Sequence, residues 1–407
     1  MRIAVFHDLP AGGGKRALYE HCRELARLGH ELDLFIPETA NEFFLPLDPF
    51  IQSKQVFRLI GARRQQGQPS GRTRFTRLFV SHCQKQIAQQ INKGQYDVVF
   101  VQLSAYPAVP FVLRYLKVPS LFYLHEPTRI FYEAPIQELK QFNRYGDDRF
   151  QFREWFLESP FNRQFWIPLI HRKRAEYKNV HYAPGIIANS YFSRDCILRA
   201  YGVSAVKHYC GVDTELFRPL DLPKESVVLS VGKAQPYKGF RFLVTSIGRI
   251  AASIRPRLVI IAHEERSGEQ SLLRKLASDL RVDLTLLAVN DEELVQWYNR
   301  AMVVAFVPYV EPFGFIPLEA MACGVPVVGI CEGGVRETVV DGETGYLIDR
   351  DPDACADAIS RLLKDPDLRH RMGAAGRRIV ETRWTWRQSG ELLAKRLRQL
   401  ADGQRMT

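Results

Sequence analysis

Two glutamates, Glu311 and Glu319, enclose Pro-Phe-Gly-Phe-Ile-Pro-Leu, and the chain continues Ala-Met-Ala-Cys-Gly-Val-Pro-Val-Val. An apolar strand ending near Pro308 runs into a loop at Gly314. A helix is expected from near Pro317, because proline suits a first helical turn, where its missing N–H costs nothing. It should end by Gly324, with Val325 opening the next strand. Backbone amides at such a helix start can hold a diphosphate. Glu319 would then lie within reach of the ribose of a nucleotide laid across that terminus. His125, in Tyr-Leu-His-Glu-Pro, stands at the carboxyl end of another apolar run. Gly12-Gly13-Gly14 follows the first run and lacks the Gly-x-Gly-x-x-Gly spacing, which disfavours a nicotinamide dehydrogenase. Two glutamates alone could be surface charges, and one histidine alone a structural residue. The whole string around Glu311 and Glu319 is a stronger signal than either.

These residues need elements to place them, and strand and helix patterns alternate along most of the chain. Arg2–His7, Glu31–Ile36, Asp97–Leu103, Ser120–Leu124 and Gly185–Asn189 read as buried strands. A helix from about Lys15 carries Leu18, Cys22, Leu25 and Leu28 at helical spacing and stops at Gly29. Ser226–Val231, Arg257–Ala262, Leu284–Ala288, Val303–Val307 and Val325–Ile330 repeat the strand pattern, with helices between them. Asp353–Leu363, Leu368–Thr382 and Arg387–Leu400 read as helices. The expected architecture is α/β, two Rossmann-like, doubly wound domains, in which ligands sit at the carboxyl ends of strands. The expected domains are 1–205 and 206–385, with 386–407 a helix returning toward the first. Pro127–Tyr182, rich in aromatic residues and arginine, reads as helices inserted into the first half. Most of its rings should pack and a few should shape a pocket.

The length of 407 residues suits two cores, and 46% hydrophobic with 25% charged residues is ordinary globular composition. The longest apolar candidate, Asp97–Leu116, is interrupted by Gln102, Ser104, Pro107, Pro110 and Arg114, so no bilayer span is expected. Seven cysteines without Cys-x-x-Cys or metal-ligand spacing point to reduced, buried thiols and a cytoplasmic protein. The net charge of +11 is uneven: residues 49–96 hold no Asp or Glu but carry Lys54, Arg58, Arg63, Arg64, Arg72, Arg74, Arg77, Lys85 and Lys93. With Phe75, Leu78, Phe79 and Val80 alongside, this block could meet an anionic membrane peripherally, or be a solvated face. No nucleic-acid module accompanies it.

The Glu311–Glu319 string resembles the Glu-x7-Glu signature of glycosyltransferase family four, whose GT-B fold has two facing Rossmann-like domains with a cleft between them. Val231-Gly-Lys233-Ala-Gln-Pro-Tyr-Lys238-Gly239 is similar to that family's Gly-Arg…Lys-Gly phosphate clamp. Here lysine replaces the usual first arginine, keeping the point charge but losing the bidentate fork. Further matches are Tyr209-Cys-Gly-Val-Asp213…Phe217-Arg-Pro219, Asp291-Glu-Glu-Leu294, and Gly333-Gly334…Glu337…Asp341-Gly342…Gly345. The resemblance covers nearly the whole chain, though the first half matches only at scattered points.

It implies a nucleotide-sugar donor held by Gly13, Gly14, Lys233, Lys238, Phe313, Gly314, Phe315 and Glu319. Glu311 would lie by the donor sugar, and His125, Glu311 and Lys238 would serve the chemistry. Arg129 and Glu133 are expected at the acceptor, a saccharide or lipid-linked saccharide. The reaction implied is transfer of a hexose-type sugar from a UDP- or GDP-sugar with retention of anomeric configuration. No Asp-x-Asp stands where a metal-bridged donor would require it, so no metal or other cofactor is expected. A GT-B nucleotide-sugar epimerase and a non-catalytic nucleotide-sugar-binding protein are the alternatives.

Overall fold

The computed structural model describes residues 1–59, 74–132, 160–262 and 268–404, and of 74–76, 130 and 160–168 the backbone alone. The first unit holds residues 1–132, 160–210 and 386–404; the second holds Gly211–Thr385. Glu133, and the aromatic segment from there to residue 159, lie outside the described residues, as do Arg63, Arg64 and Arg72.

Strands β1 (Arg2–Asp8), β2 (Glu31–Pro37), β3 (Ser53–Phe57), β4 (Val98–Ser104), β5 (Ser120–Tyr123), β6 (Gly185–Ala188) and β7 (Val206–Lys207) form one sheet. Its order is β3-β2-β1-β4-β5-β6-β7, and every pairing is parallel. Helices α1 (Gly13–Arg27), α2 (Arg74–Lys93), α3 (Pro160–Val180) and α4 (Tyr191–Tyr201) accompany it. Parallel strands covered on both faces are largely apolar, and β1 is buried from Ile3 onward, with Ile3–Phe6 apolar and His7 and Asp8 at its carboxyl end. Val206–Lys207, expected to open the second domain, instead pair with Ile187 and Ala188 as the edge of the first sheet. The first unit therefore runs on to Cys210.

The second sheet contains β8 (Glu225–Val231), β9 (Arg257–Ile261), β10 (Leu284–Leu287), β11 (Ala301–Phe306), β12 (Val327–Ile330) and β13 (Gly345–Ile348). Their order is β10-β9-β8-β11-β12-β13, again all parallel. The helices are α5 (Phe240–Arg249), α6 (Glu269–Asp279), α7 (Asp291–Arg300), α8 (Phe315–Ala322), α9 (Val335–Thr338), α10 (Pro352–Lys364) and α11 (Pro366–Arg383). The acidic run at residues 291–293 opens α7. Asn290 Oδ1 accepts from the Glu293 amide at 2.9 Å, and Glu293 Oε2 accepts from the Asn290 amide at 3.1 Å, a reciprocal cap.

Helix α12 (Trp386–Ala401) belongs to the first unit and lies on α1. Gly390 permits the crossing, because a Cβ there would overlap the Glu24 side chain. Buried Leu393 and Leu397 fill its inner face. A buried polar seam fixes it: His21 Nε2 lies 2.9 Å from Ser389 Oγ, and Arg396 donates to the Lys207 carbonyl at 2.7 Å. Arg396 Nη1 also lies 2.7 Å from His208 Nδ1. All seven cysteines are free, and only Cys331 is exposed.

Candidate active site

Chain order reverses direction in each sheet at one place, between β1 and β4 and between β8 and β11. The loops leaving two such strands part to opposite faces, opening a crevice at their carboxyl ends. In the second unit the sequence-predicted residues flank that crevice. Lys233 and Lys238 follow β8, while Glu311 and Glu319 follow β11.

Lys238 Nζ donates to Glu311 Oε2 at 2.9 Å, and both side chains are about four-fifths covered, at 17% and 22% exposure. The sequence placed these two groups in one site without pairing them. Gly239 makes the approach possible. It adopts φ 71°, and a Cβ there would overlap the Val307 carbonyl oxygen, so the backbone after Lys238 lies directly against the end of β11. The Tyr309 amide, which donates to the Tyr237 carbonyl at 2.8 Å, ties the same two loops. Lys233 is exposed, one residue beyond Gly232.

Helix α8 begins at Phe315, two residues before the expected start, with Gly314 at φ 90° as its N-cap and no side chain capping it. Pro317 thus occupies the third helical position, still within the turn whose amides lack helical partners. Phe313 is buried, its ring 5.3 Å from Phe315 and 5.7 Å from Trp384. Glu319 is 6% exposed, and its Oε2 accepts from the Tyr298 hydroxyl at 2.8 Å. A buried carboxylate is tolerated when donors meet it, and Tyr298 fixes which way this one points.

Two further residues frame the Glu311 loop, and no sequence motif singled them out. Arg350 donates to the Val307 carbonyl at 3.0 Å, to the Pro308 carbonyl at 2.8 Å and to both oxygens of Glu332 at 2.9 Å. Its guanidinium lies 3.7 Å from the centre of the Tyr309 ring. Glu332 Oε2 also accepts from the Val310 amide at 3.3 Å, and Val310 is held at φ 44°. Burial opposes ionisation of Glu332, yet the Arg350 hydrogen bond, the Arg350 charge and the Val310 amide together hold its carboxyl below the ordinary value. Gly333 and Gly334 complete the frame, since a Cβ on either would overlap the backbone of residues 310–313.

In the first unit, Gly13 and Gly14 are the first two residues of α1, after Gly12 at φ 142°. His125 follows β5, buried, with its ring stacked on Tyr123 at 4.1 Å. Burial lowers His125 to about 4, so the imidazole is neutral near pH 7. Its Nε2 lies 3.1 Å from Oε1 of buried Gln102 on β4. Arg129 sits in a short 3₁₀ turn, its Nε 3.6 Å from Glu126 Oε2. Beneath the glycine loop, Glu42 joins His7 at 2.9 Å and Lys15. Burial opposes ionisation of Glu42, yet hydrogen bonds from His7 and Lys15 hold its carboxyl at about 2. Among the described residues no three His, Cys, Asp or Glu side chains gather as a metal site, and no helix is long and apolar enough to cross a membrane.

Two parallel α/β sheets, each with its own crevice, define the GT-B fold. The sucrose-phosphate synthase of Thermosynechococcus elongatus superposes with a TM-score of 0.76 at 22% identity, covering 99% of both chains. The Glycosyltransferase Family 4 profile matches residues 11–216, and the Glycosyl transferases group 1 profile matches residues 212–379. The chain belongs to glycosyltransferase family 4. A D-inositol 3-phosphate glycosyltransferase of Frankia alni is 37% identical over 191 residues, 41% of this chain and 47% of that protein. A GDP-mannose-dependent alpha-(1-6)-phosphatidylinositol monomannoside mannosyltransferase of Mycolicibacterium smegmatis is 33% identical over 232 residues, 51% of this chain and 60% of that protein. The chain thus spans about half the length of these curated relatives.

Proposed function

We propose that this protein transfers a hexose-type sugar, with retention of configuration, from a UDP- or GDP-sugar to a hydroxyl of a saccharide or lipid-linked saccharide. The observation that carries the reading is the Lys238–Glu311 pair, set across the β8/β11 crevice from which α8 and Glu319 also start. A nucleoside diphosphate needs cations and amides for its phosphates and a carboxylate for its ribose, and the second unit supplies all three. Lys238, Lys233 and the amides at the start of α8 would take up the charge that builds on the diphosphate as the C1–O bond breaks. One preorganised donor of this kind is worth roughly 3 kcal/mol in the transition state. Glu311 holds Lys238 in place until the phosphates arrive, and then lies beside the sugar.

The acceptor hydroxyl attacks C1 on the face the diphosphate leaves. A donor phosphate oxygen takes the hydroxyl proton as the new C1–O bond forms, so the anomeric configuration is kept. His125 would contact the donor sugar, the α1 glycines would approach donor and acceptor, and Arg129 would lie on the acceptor side.

The names of the relatives support a phosphorylated or lipid-linked acceptor, since one acts on an inositol phosphate and another on a phosphatidylinositol mannoside. Arg58, Arg77, Lys85 and Lys93 support peripheral contact with an anionic membrane from the cytoplasmic side, whereas Lys54 is already paired with Asp48 at 3.0 Å. Leu78 stands 61% exposed among them.

Donor hydrolysis tests the reaction without knowledge of the acceptor, because water replaces it. Proton NMR during incubation with α-linked UDP-glucose or GDP-mannose should show the α anomer of the free sugar first, before mutarotation. A first-formed β anomer would overturn retention. A donor epimerised without transfer would point to an epimerase, and an inert donor that still binds would point to a binding protein.

A further inference from the structure

Gln102 is wholly buried on β4 and takes no part in the chemistry above, yet its side chain meets His125 directly. Its carbonyl oxygen lies 3.1 Å from His125 Nε2, and its own amide nitrogen is buried without a partner among the described residues. The Nε2 edge of the imidazole has two neighbours. Gln102 faces it, and Gly14 lies on another side, where a Cβ would stand at van der Waals contact, 3.9 Å from Nε2. Tyr123 covers one ring face at an interplanar angle of 19°, and is itself anchored by its hydroxyl, which donates to the His208 carbonyl at 2.7 Å.

A carbonyl oxygen accepts and cannot donate. The ring nitrogen facing it must therefore carry the proton. A neutral imidazole has one N–H, so the other nitrogen keeps its lone pair. We propose that Gln102 is a positioning residue that fixes His125 as the Nε2–H tautomer and so presents Nδ1 as a hydrogen-bond acceptor to a sugar hydroxyl. The part concerning the hydroxyl rests on the transferase reading; the tautomer does not. Burial keeps the ring neutral near pH 7, so the lone pair is available there.

Long-range ¹H–¹⁵N correlation on the full chain, labelled at histidine and assigned with His125→Gln, reads the tautomer directly. The expected spectrum at pH 7.5 shows His125 Nε2 protonated and Nδ1 bare. Protonation at Nδ1, or averaging between the two forms, would overturn the proposal. Gln102→Leu should let the Nδ1–H form appear in that spectrum and lower kcat for donor hydrolysis roughly tenfold, the worth of one hydrogen bond. KM for the donor should change less. Gln102→Glu, which still accepts the same N–H, should keep the Nε2–H form and raise the pKa of the ring. Unchanged turnover in Gln102→Leu alongside a changed tautomer would remove the role in the reaction. A wild-type protein that turns over no donor would count against the proposed function and leave the tautomer standing.

Discussion

Glu319 and Tyr298 show how a residue-scale device can be built from one buried hydrogen bond. The carboxylate is 6% exposed, and a group so covered keeps a single orientation only if its donors keep theirs. Tyr298→Phe removes one of those donors without changing the packed ring. Stability should fall by about 1–3 kcal/mol, the usual cost of depriving a buried polar group of its partner. Nucleotide affinity should fall with it. Denaturant unfolding and calorimetry measure the two effects, and a variant unchanged in both would show that Tyr298 does not orient Glu319. The sequence made Glu311, Glu319 and the two lysines legible because a run of eighteen residues from Glu311 carries the signature. It left Tyr298, Arg350 and Glu332 unread. These partners lie 21 and 18 residues apart or hold backbone carbonyls, contacts that no local spacing encodes.

Strands that lie inside a parallel sheet announced themselves, whereas β3 and β7, at the two edges of the first sheet, did not. β1, β4 and β8 are apolar runs flanked by turns. β3 is Ser-Lys-Gln-Val-Phe with no residue fully buried, and β7 is two residues long, so neither carries a hydrophobic signal. The α12 contact was equally hidden in its detail, since His208 and Arg396 are 188 residues apart. Helix α2 and the strand before it carry the basic block, and they make a prediction of their own. Full-length protein should sediment with phosphatidylglycerol vesicles at low salt and be released as salt rises, because exposed charges are screened over about 10 Å at 0.1 M. Arg77→Gln with Lys85→Gln should weaken that binding. Vesicle binding equal to wild type would assign the block to a solvated face.

At the scale of the whole chain, buried histidines set how the first unit responds to acid. Burial lowers His7 to about 4, His21 to about 3 and His125 to about 4, and it lowers His208 as well. The unfolded chain takes up these protons near the ordinary value of 6.5, the folded chain only much lower. Their contribution is therefore complete above pH 6.5 and is lost as pH falls, each group adding a slope of about 1.4 kcal/mol per pH unit. Asp8 runs the other way: burial raises it from 3.8 to about 6, so it favours the fold as pH falls through that window. One carboxyl offsets only one of four histidines, and denaturation at pH 7.5, 6 and 5 should show a net loss. Constant stability across that range would mean the rings are not buried neutral. For the proposed nucleotide site of the second unit, the decisive measurement is calorimetric titration of the full chain with UDP, GDP and ADP. One nucleotide should bind, EDTA should leave its affinity unchanged, and Glu319→Ala should weaken it by about tenfold or more, the worth of one hydrogen bond to a charged group. Binding of none of them, or binding indifferent to Glu319→Ala, would contradict the proposed site.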